Sequence, residues 1–144
     1  MKKIHTEIEI RASAKRIWDF LTDFAAFPQW NPFMIRASGG IAVDSRIDIT
    51  IQSSPKKTMS FRPRLLVVDQ QRELRWRGSL LMPGIFDGEH VFNLQAIDAD
   101  HIRFTQSEQF TGILVPLVWS SMEANTLKGF TSMNQALKLR AETG

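Results

Sequence analysis

The strongest constraint on the fold of this chain is a period-two alternation of apolar and polar residues that recurs along its length. Such alternation is typical of a β-strand with one buried face. Turn signals, among them Gly39-Gly40 and the Asp-Ala-Asp stretch at 98–100, separate one alternating segment from the next. The clearest segments are residues 3–10, 47–52, 73–80, 89–97 and 101–111. The pattern predicts an antiparallel meander of about seven strands with one polar and one apolar face.

The last part of the chain has a different period. From about Leu114 to Ala141 no turn signal interrupts the sequence, and the apolar residues follow three-and-four spacing, at Trp119, Met122, Phe130, Met133 and Leu137. This spacing predicts one long amphipathic helix of about 40 Å. Gly129 lies inside it, where a glycine either allows close packing or leaves room beneath the helix.

Two further features concern the connections between elements. Ser13 is a suitable N-cap for a short helix after the first strand, and Pro28 and Pro32 predict a break or a turn-rich connection behind it. Residues 58–69 are predicted as one strand, in which Pro63 indicates a bulge or an edge position.

An apolar sheet face has to be covered, and the C-terminal helix is the only predicted element large enough to cover it. The chain is therefore expected to be α+β, with a curved antiparallel sheet around one helix and one or two short helices after the first strand. A sheet curved in this way commonly leaves a cavity beneath the helix. No repeat, linker or low-complexity tract divides residues 1–144, which predicts a single domain.

Composition excludes several classes of function. Cysteine is absent, which removes disulfides and thiolate chemistry and fits a reducing cytoplasm. No apolar run is long enough to span a bilayer, and no apolar block follows the first lysines as in a signal peptide. The net charge is +3, and the densest basic cluster is predicted on an outward sheet face without stacking aromatics, which argues against nucleic acid. That cluster consists of Arg62, Arg64, Arg72, Arg75 and Arg77, of which all but Arg72 are predicted on this face.

Motifs for metal, nucleotide or serine chemistry are also missing. The histidines at 5, 90 and 101 have no ligand spacing, so no metal site is expected. The sequence contains no glycine-rich phosphate loop and no G-x-S-x-G elbow. We therefore expect no cofactor.

One carboxylate stands out in the alternation. In the stretch RFTQSEQF, Glu108 shares a face with Phe104, Gln106 and Phe110, whereas its sequence neighbours fall on the polar face. A buried, unpaired charge is costly, so Glu108 requires a partner, a proton or water. If the turn at 98–100 is a tight hairpin that pairs Ile97 with His101, the partner opposite Glu108 is His90.

Three interpretations of the predicted His90–Glu108 pair remain open. The pair could satisfy only itself, as a structural polar network. It could orient a ligand through a carbonyl or hydroxyl group. It could also serve catalysis, with Glu108 setting the tautomer of His90, which then acts as a general base or acid. Any titration of the two groups would be coupled.

The inward aromatic side chains are expected to line or fill the interior, and as a set they favour an apolar, ring-containing or acyl ligand. Trp30 fits two positions, at a cavity mouth or as a staple between the short helix and the sheet. The residues predicted to bind the ligand are Trp30, Phe61, Trp76, Gly78, His90, Phe92, Phe104, Gln106, Glu108, Phe110, Met122 and Phe130. His90 and Glu108 are also the candidate catalytic residues.

The order of elements resembles the helix-grip fold of the START and birch-pollen-allergen superfamily, also called SRPBCC, and within it the bacterial polyketide cyclase/dehydrase-like proteins. The stretches that carry the resemblance are ASAKRIWDFLTDFAAFPQWNPF, ELRWRG, GIFDGEHVFNL, RFTQSEQFTGILVPL and GFTSMNQALKLRAE. They sample the chain from end to end.

The resemblance implies a deep apolar cavity and leaves three classes of function open, because fold alone does not fix function. The first is binding of a small apolar or amphipathic molecule, such as a lipid. The second is a cofactor-independent cyclase, dehydratase or isomerase that uses His90 and Glu108. The third is a protein-interaction module. Nothing in the sequence addresses the oligomeric state.

Overall fold

A computed structural model describes residues 1–143 of the chain. These residues form eight strands: β1 (Lys2–Ile10), β2 (Met34–Ser38), β3 (Asp48–Ser54), β4 (Lys57–Phe61), β5 (Arg64–Asp69), β6 (Glu73–Leu80), β7 (Phe86–Asp98) and β8 (His101–Thr111). They also form the helices α1 (Ala14–Thr22), α2 (Phe27–Trp30) and α3 (Val115–Thr143), with a 3-10 turn at Phe24–Ala26.

The strands form two antiparallel sheets. The larger has the order β1-β8-β7-β6-β5, and the smaller has the order β2-β3-β4. Along β8 the even-numbered residues Ile102, Phe104, Gln106 and Phe110 are buried, as the alternation predicts. The predicted α+β helix-grip fold, with α3 on the inner face of the sheets, is confirmed.

The strand predicted at 58–69 is divided in two. Proline has no N–H for a sheet hydrogen bond, and β4 ends at Phe61 while β5 begins at Arg64, on either side of Pro63. The Pro63 carbonyl still accepts a hydrogen bond from the Ile47 N–H at 3.0 Å, and an isolated bridge joins Arg46 to Arg64. The structure therefore has eight strands in two sheets instead of about seven in one.

The helix α1 begins as predicted at Ser13, whose Oγ accepts a hydrogen bond from the Arg16 N–H at 3.2 Å. Its apolar side chains Ile17, Trp18 and Leu21 are buried. The segment with the two prolines contains the single turn α2, with Pro28 in its first positions, where a missing N–H costs no helical hydrogen bond.

The long helix α3 has two dissimilar halves. From Phe130 onward it packs tightly, and its fully buried residues there are Phe130, Met133, Asn134, Leu137 and Ala141. No residue of the segment 116–129 is fully buried. Gly129 lies at the change between the two halves. A Cβ at this position would overlap the ring of Phe33, so the glycine allows the helix to pack closely there. Of the two roles considered for Gly129, close packing is the one that the structure supports. None of the helices within residues 1–143 has the length and apolar character that crossing a bilayer requires.

Candidate ligand-binding site

A cavity of about 480 Å³ lies between the inner faces of the two sheets and the N-terminal half of α3. Its volume falls in the range usual for small-molecule sites. It is lined by Phe33, Met34, Ile51, Ser53, Met59, Phe61, Trp76, Gly78, Ser79, Leu80, Leu81, Phe86, Gly88, His90, Glu108, Phe110, Leu114, Val118, Met122 and Thr126. Leu81, which is 87% exposed, and Met59 form part of its rim.

The lining is apolar with a small polar exception. Among the described residues that line the cavity, only His90 and Glu108 are titratable, and none is a lysine or an arginine. An apolar enclosure with few polar groups is the usual construction of a small-molecule site, in which the polar groups fix the orientation of the ligand.

The pairing of His90 with Glu108 is confirmed, although the predicted turn is wrong. His101 pairs with Asp98 instead of Ile97, and Ile102 pairs with Ala96. Ile97 is the extra residue of a bulge, which a strand accommodates by bending locally. Beyond the bulge the register is the predicted one, with His90 opposite Glu108 and Phe92 opposite Gln106.

The two side chains form a hydrogen bond between His90 Nδ1 and Glu108 Oε1 at 3.1 Å. The His90 side chain is 3% exposed and that of Glu108 is 17% exposed, so the carboxylate is the more accessible partner. A Cβ at Gly88 would overlap Glu108 Oε2. Gly88, on the neighbouring strand, therefore makes the space in which the carboxylate lies.

A chain of polar side chains continues from His90 into the protein. His90 Nε2 contacts Gln106 Oε1 at 2.9 Å, and Gln106 Nε2 donates to Asn134 Oδ1 at 2.8 Å. Asn134 Nδ2 donates to Thr6 Oγ1 at 2.8 Å, and this hydroxyl donates to the main-chain carbonyl of Gln106 at 2.8 Å. Both ring nitrogens of His90 are therefore engaged by protein groups.

Aromatic rings surround the His90 imidazole. It stacks on Trp76 with ring centroids 5.3 Å apart, and the ring of Phe130 meets it edge-on at 5.0 Å. Phe92 lies 4.7 Å away. With its hydrogen bonds, this packing holds the imidazole in one orientation.

Seven of the twelve predicted ligand-binding residues line the cavity, namely Phe61, Trp76, Gly78, His90, Glu108, Phe110 and Met122. The other five do not line it, although filling the interior is one of the two positions expected for the inward aromatics. Phe92, Phe104 and Phe130 are completely buried in the solid core, and Gln106 is buried behind His90. Trp30 is partly buried against the hydrophobic core, and its ring meets that of Phe27 in the same helix with centroids 5.5 Å apart.

Other lining residues were not predicted. Phe86 and Gly88 precede the predicted alternating segment 89–97, whereas β7 already begins at Phe86 and carries both to the cavity wall. Met34 and Ile51 lie in β2 and β3 of the smaller sheet, and Phe33 directly precedes β2, so these lining residues come from outside the larger sheet. The extension of the Glu89–Ile97 alternation back to residue 86 was the sequence signal that could have identified Gly88.

The loop between β6 and β7 is fastened by Asp87, whose carboxylate accepts hydrogen bonds from the Ser79 hydroxyl at 2.7 Å and from the Gly84 N–H at 3.1 Å. The Ser79 bond is the largest of the effects that hold the pKa of Asp87 below its ordinary value of 3.8. The Gly84 N–H and the Arg77 guanidinium act in the same direction, and burial opposes them.

The outward basic cluster is interleaved with carboxylates. Arg75 contacts Glu73 at 3.0 Å and Glu89 at 2.9 Å, and Arg77 contacts Asp87 at 3.2 Å. Arg62 contacts Asp48 at 3.0 Å, so three of the five arginines of the cluster are paired with carboxylates. Within residues 1–143 no group of three or more histidine, aspartate or glutamate side chains is arranged to hold a metal ion.

Comparison with solved structures supports the fold. A START superfamily protein from Mycobacterium smegmatis aligns with a TM-score of 0.71 at 19% identity over 96% of each chain. Norcoclaurine synthase from Thalictrum flavum aligns with a TM-score of 0.73 at 17% identity over 97% of this chain and 93% of that one. The di-domain ARO/CYC protein BexL of the BE-7585A biosynthetic pathway aligns with a TM-score of 0.74 at 11% identity, and this chain spans only 47% of its length.

A START-like helix-grip fold around an apolar cavity defines the class of protein. Within this class, residues 1–142 match the family model described as polyketide cyclase / dehydrase and lipid transport, and the chain belongs to that family. No protein with a curated description is similar to it in sequence.

Proposed function

We propose that this protein binds a small apolar or amphipathic molecule in the cavity, with Glu108 and His90 as its polar anchor. The observation that carries the proposal is an apolar cavity of about 480 Å³ with one titratable pair in its wall. The described family, which combines polyketide cyclases and lipid transport, supports the same class of ligand. Residues 1–144 would act as a single ligand-binding domain.

Native mass spectrometry of the freshly purified protein tests the proposal, with identification of any molecule released on denaturation. The variant Thr126→Trp fills the cavity from α3, and Thr131→Trp places the same side chain at an exposed position of that helix. We expect a bound molecule, or binding of added 1-naphthol, in the wild type and in Thr131→Trp but not in Thr126→Trp. A bare mass in all three proteins and no binding of naphthol would contradict the proposal.

A second candidate function is a cofactor-independent cyclase, dehydratase or isomerase. The specific observation in its favour is that Glu108 has an accessible carboxylate in the cavity wall, held in place by a buried histidine. A carboxylate positioned in this way can accept a proton from a bound substrate. The family description and the similarity to norcoclaurine synthase agree with this chemistry.

The variant Glu108→Gln separates the two candidates. A carrier with this change should still be isolated with the same molecule as the wild type. An enzyme should instead accumulate its substrate in the variant, and the extracted molecule should then differ from that of the wild type, by the mass of water for a dehydratase and in structure at equal mass for an isomerase or a cyclase that releases no water. The same molecule in both proteins would contradict the enzyme candidate.

The absence of cysteine supports the further proposal that the protein acts in a reducing compartment such as the bacterial cytoplasm. Fractionation of the native host, followed by immunodetection, tests it. Recovery of the protein outside the cytoplasmic fraction would contradict it.

A further inference from the structure

In the polar chain behind His90, each hydrogen bond has a fixed donor and a fixed acceptor, and this order determines which groups can meet a ligand. It starts at the main-chain carbonyl of Gln106, to which the Thr6 hydroxyl lies at 2.8 Å. A carbonyl oxygen can only accept a hydrogen bond, so this hydroxyl donates its single proton there. Towards Asn134, Thr6 Oγ1 can then act only as an acceptor.

Each following amide is oriented by the one before it. Because Thr6 accepts from Asn134 Nδ2, the oxygen of the Asn134 amide faces Gln106 and accepts from its Nε2. The Gln106 amide therefore presents Oε1 to His90, at 2.9 Å from Nε2. An amide oxygen is also only an acceptor, so His90 Nε2 carries a proton.

This assignment leaves one proton between His90 Nδ1 and Glu108 Oε1, which are 3.1 Å apart. If the proton is on nitrogen, the pair is an imidazolium and a carboxylate. If it is on oxygen, the pair is a neutral imidazole and a carboxylic acid. In both arrangements the second carboxylate oxygen, Oε2, carries no proton and is a hydrogen-bond acceptor.

Glu108 Oε2 is also the atom that a ligand can reach. Within residues 1–143 this oxygen has no hydrogen-bond partner. It is also not buried, unlike the unpartnered Nε1 of Trp30 and Nδ2 of Asn31, so it is accessible. Glu108 Oε2 lies in the space left by the missing side chain of Gly88, in the wall of the cavity. His90 has no free nitrogen and acts through Glu108 as a positioning residue.

We infer that, if the cavity binds a small molecule as proposed above, the ligand presents a hydrogen-bond donor to Glu108 Oε2. The ligand class is thus an apolar molecule with a phenol, an alcohol or an amine at its inner end. A carboxylate or a carbonyl group would face an acceptor in that position. No lysine or arginine among the described lining residues compensates for that mismatch.

Three probes with one aromatic body test the inference by calorimetric titration: 1-naphthol, 1-methoxynaphthalene and 1-naphthoate. We expect naphthol to bind about tenfold more tightly than the ether, because the ether leaves the Oε2 acceptor without a donor inside the cavity. Naphthoate should bind most weakly. Equal or tighter binding of the ether or of naphthoate would overturn the inference while leaving the cavity proposal in place. If none of the probes binds, the inference fails, and the cavity proposal fails with it when the purified protein also has a bare mass.

Two variants of Glu108 make the test sharper. In Glu108→Gln the amide N–H can donate to Nδ1 of the imidazole, which leaves the amide oxygen towards the cavity, so the preference for naphthol over the ether should persist. In Glu108→Leu that preference should fall to less than about twofold, with binding of the ether retained. If the preference for naphthol over the ether survives in Glu108→Leu, another group causes it, and the inference is overturned.

The proton on His90 can be observed directly in the unmodified protein. Long-range ¹H–¹⁵N NMR should show Nε2 protonated in the wild type. In Thr6→Val the anchor of the amide orientations is lost, and we expect a mixture of tautomers. A wild-type spectrum with an unprotonated Nε2 would overturn the inference irrespective of any binding result.

Discussion

The two halves of α3 are one continuous helix with two different environments. From Phe130 to Ala141 the helix packs against the larger sheet, mainly at β1, and Phe130, Met133 and Leu137 are completely buried. From 116 to 129 the helix covers the cavity, and none of its side chains is fully buried. The comparison shows that the same helix stabilises the fold with its C-terminal half and leaves a binding volume with its N-terminal half.

The change in packing along α3 also divides the sheet beneath it. On β8, Phe104 and Gln106 lie in the solid region, whereas Glu108 and Phe110 line the cavity. All four share one face of the strand. The polar pair thus lies where the solid core ends, with His90 buried on one side and Glu108 accessible on the other.

The largest difference between the two halves should appear in stability. Phe130→Ala removes a completely buried ring and is expected to lower the free energy of unfolding by about 3 to 5 kcal/mol. Met122→Ala, in the half that covers the cavity, should lower it by no more than about 1 kcal/mol, because this side chain is only half-buried. Urea unfolding of both variants measures the difference. Equal losses would show that the two halves are packed alike.

The next largest effect concerns the polar chain inside the solid half. Asn134→Leu leaves the buried Gln106 amide without its acceptor, which should cost about 1 to 3 kcal/mol of unfolding free energy. Gln135→Leu, at an exposed position of the same helix, is the matched control and should change stability by less than about 0.5 kcal/mol. Comparable losses in the two variants would mean that the polar chain does not stabilise this half.

A smaller, pH-dependent effect is expected on the cavity side. Because the pKa of Asp87 is lower in the folded protein than its ordinary value of 3.8, its contribution is present above that pH and is lost as the pH falls below it towards the folded pKa. Asp87→Asn should therefore lower stability at neutral pH by about 1 kcal/mol, with the difference shrinking below about pH 4.

Thermal unfolding across pH 2.5 to 7 checks this expectation, with Asp100→Asn at an exposed turn as the control. A deficit of Asp87→Asn that stays constant through the acid range would show that the bonds to Ser79 and Gly84 do not depend on the charge.

The smallest effect is expected at the rim. Leu81 is 87% exposed and has a positive φ of 70°, which asparagine adopts more readily than leucine. Leu81→Asn should therefore keep the free energy of unfolding within about 0.5 kcal/mol of the wild-type value. Urea unfolding checks this, and a loss above about 1 kcal/mol would show that the rim belongs to the solid part of the structure.

The alternation in the sequence, together with the helical spacing at the end of the chain, predicts the α+β class and places the polar pair inside. Side-chain parity alone places His90 and Glu108 on the inner face, and their register survives because the bulge at Ile97 absorbs the difference between the predicted and the observed turn. The strand break at Pro63 was recognised only as a bulge or an edge, since the sequence does not show that a second sheet begins there.

Parity could not separate residues that line the cavity from residues that fill the core. Phe104 and Phe110 share a face of β8, and their different roles depend on which half of α3 lies above them. The boundary between the two halves coincides with the close approach of Gly129 to the ring of Phe33, and these residues are far apart in the sequence. The polar partner Asn134 was missed for a similar reason, because a single amide on a helix has no periodic signal.

The most direct test of the difference between the two halves is an NMR titration of the ¹⁵N-labelled protein with 1-naphthol. We expect the shifted amide signals to cluster at the cavity, including Gly78, Gly88 and Met122, while those of Met133 and Leu137 stay in place. Shifts confined to the outer surface, or spread evenly along α3, would contradict a ligand site in the hollow half of the molecule.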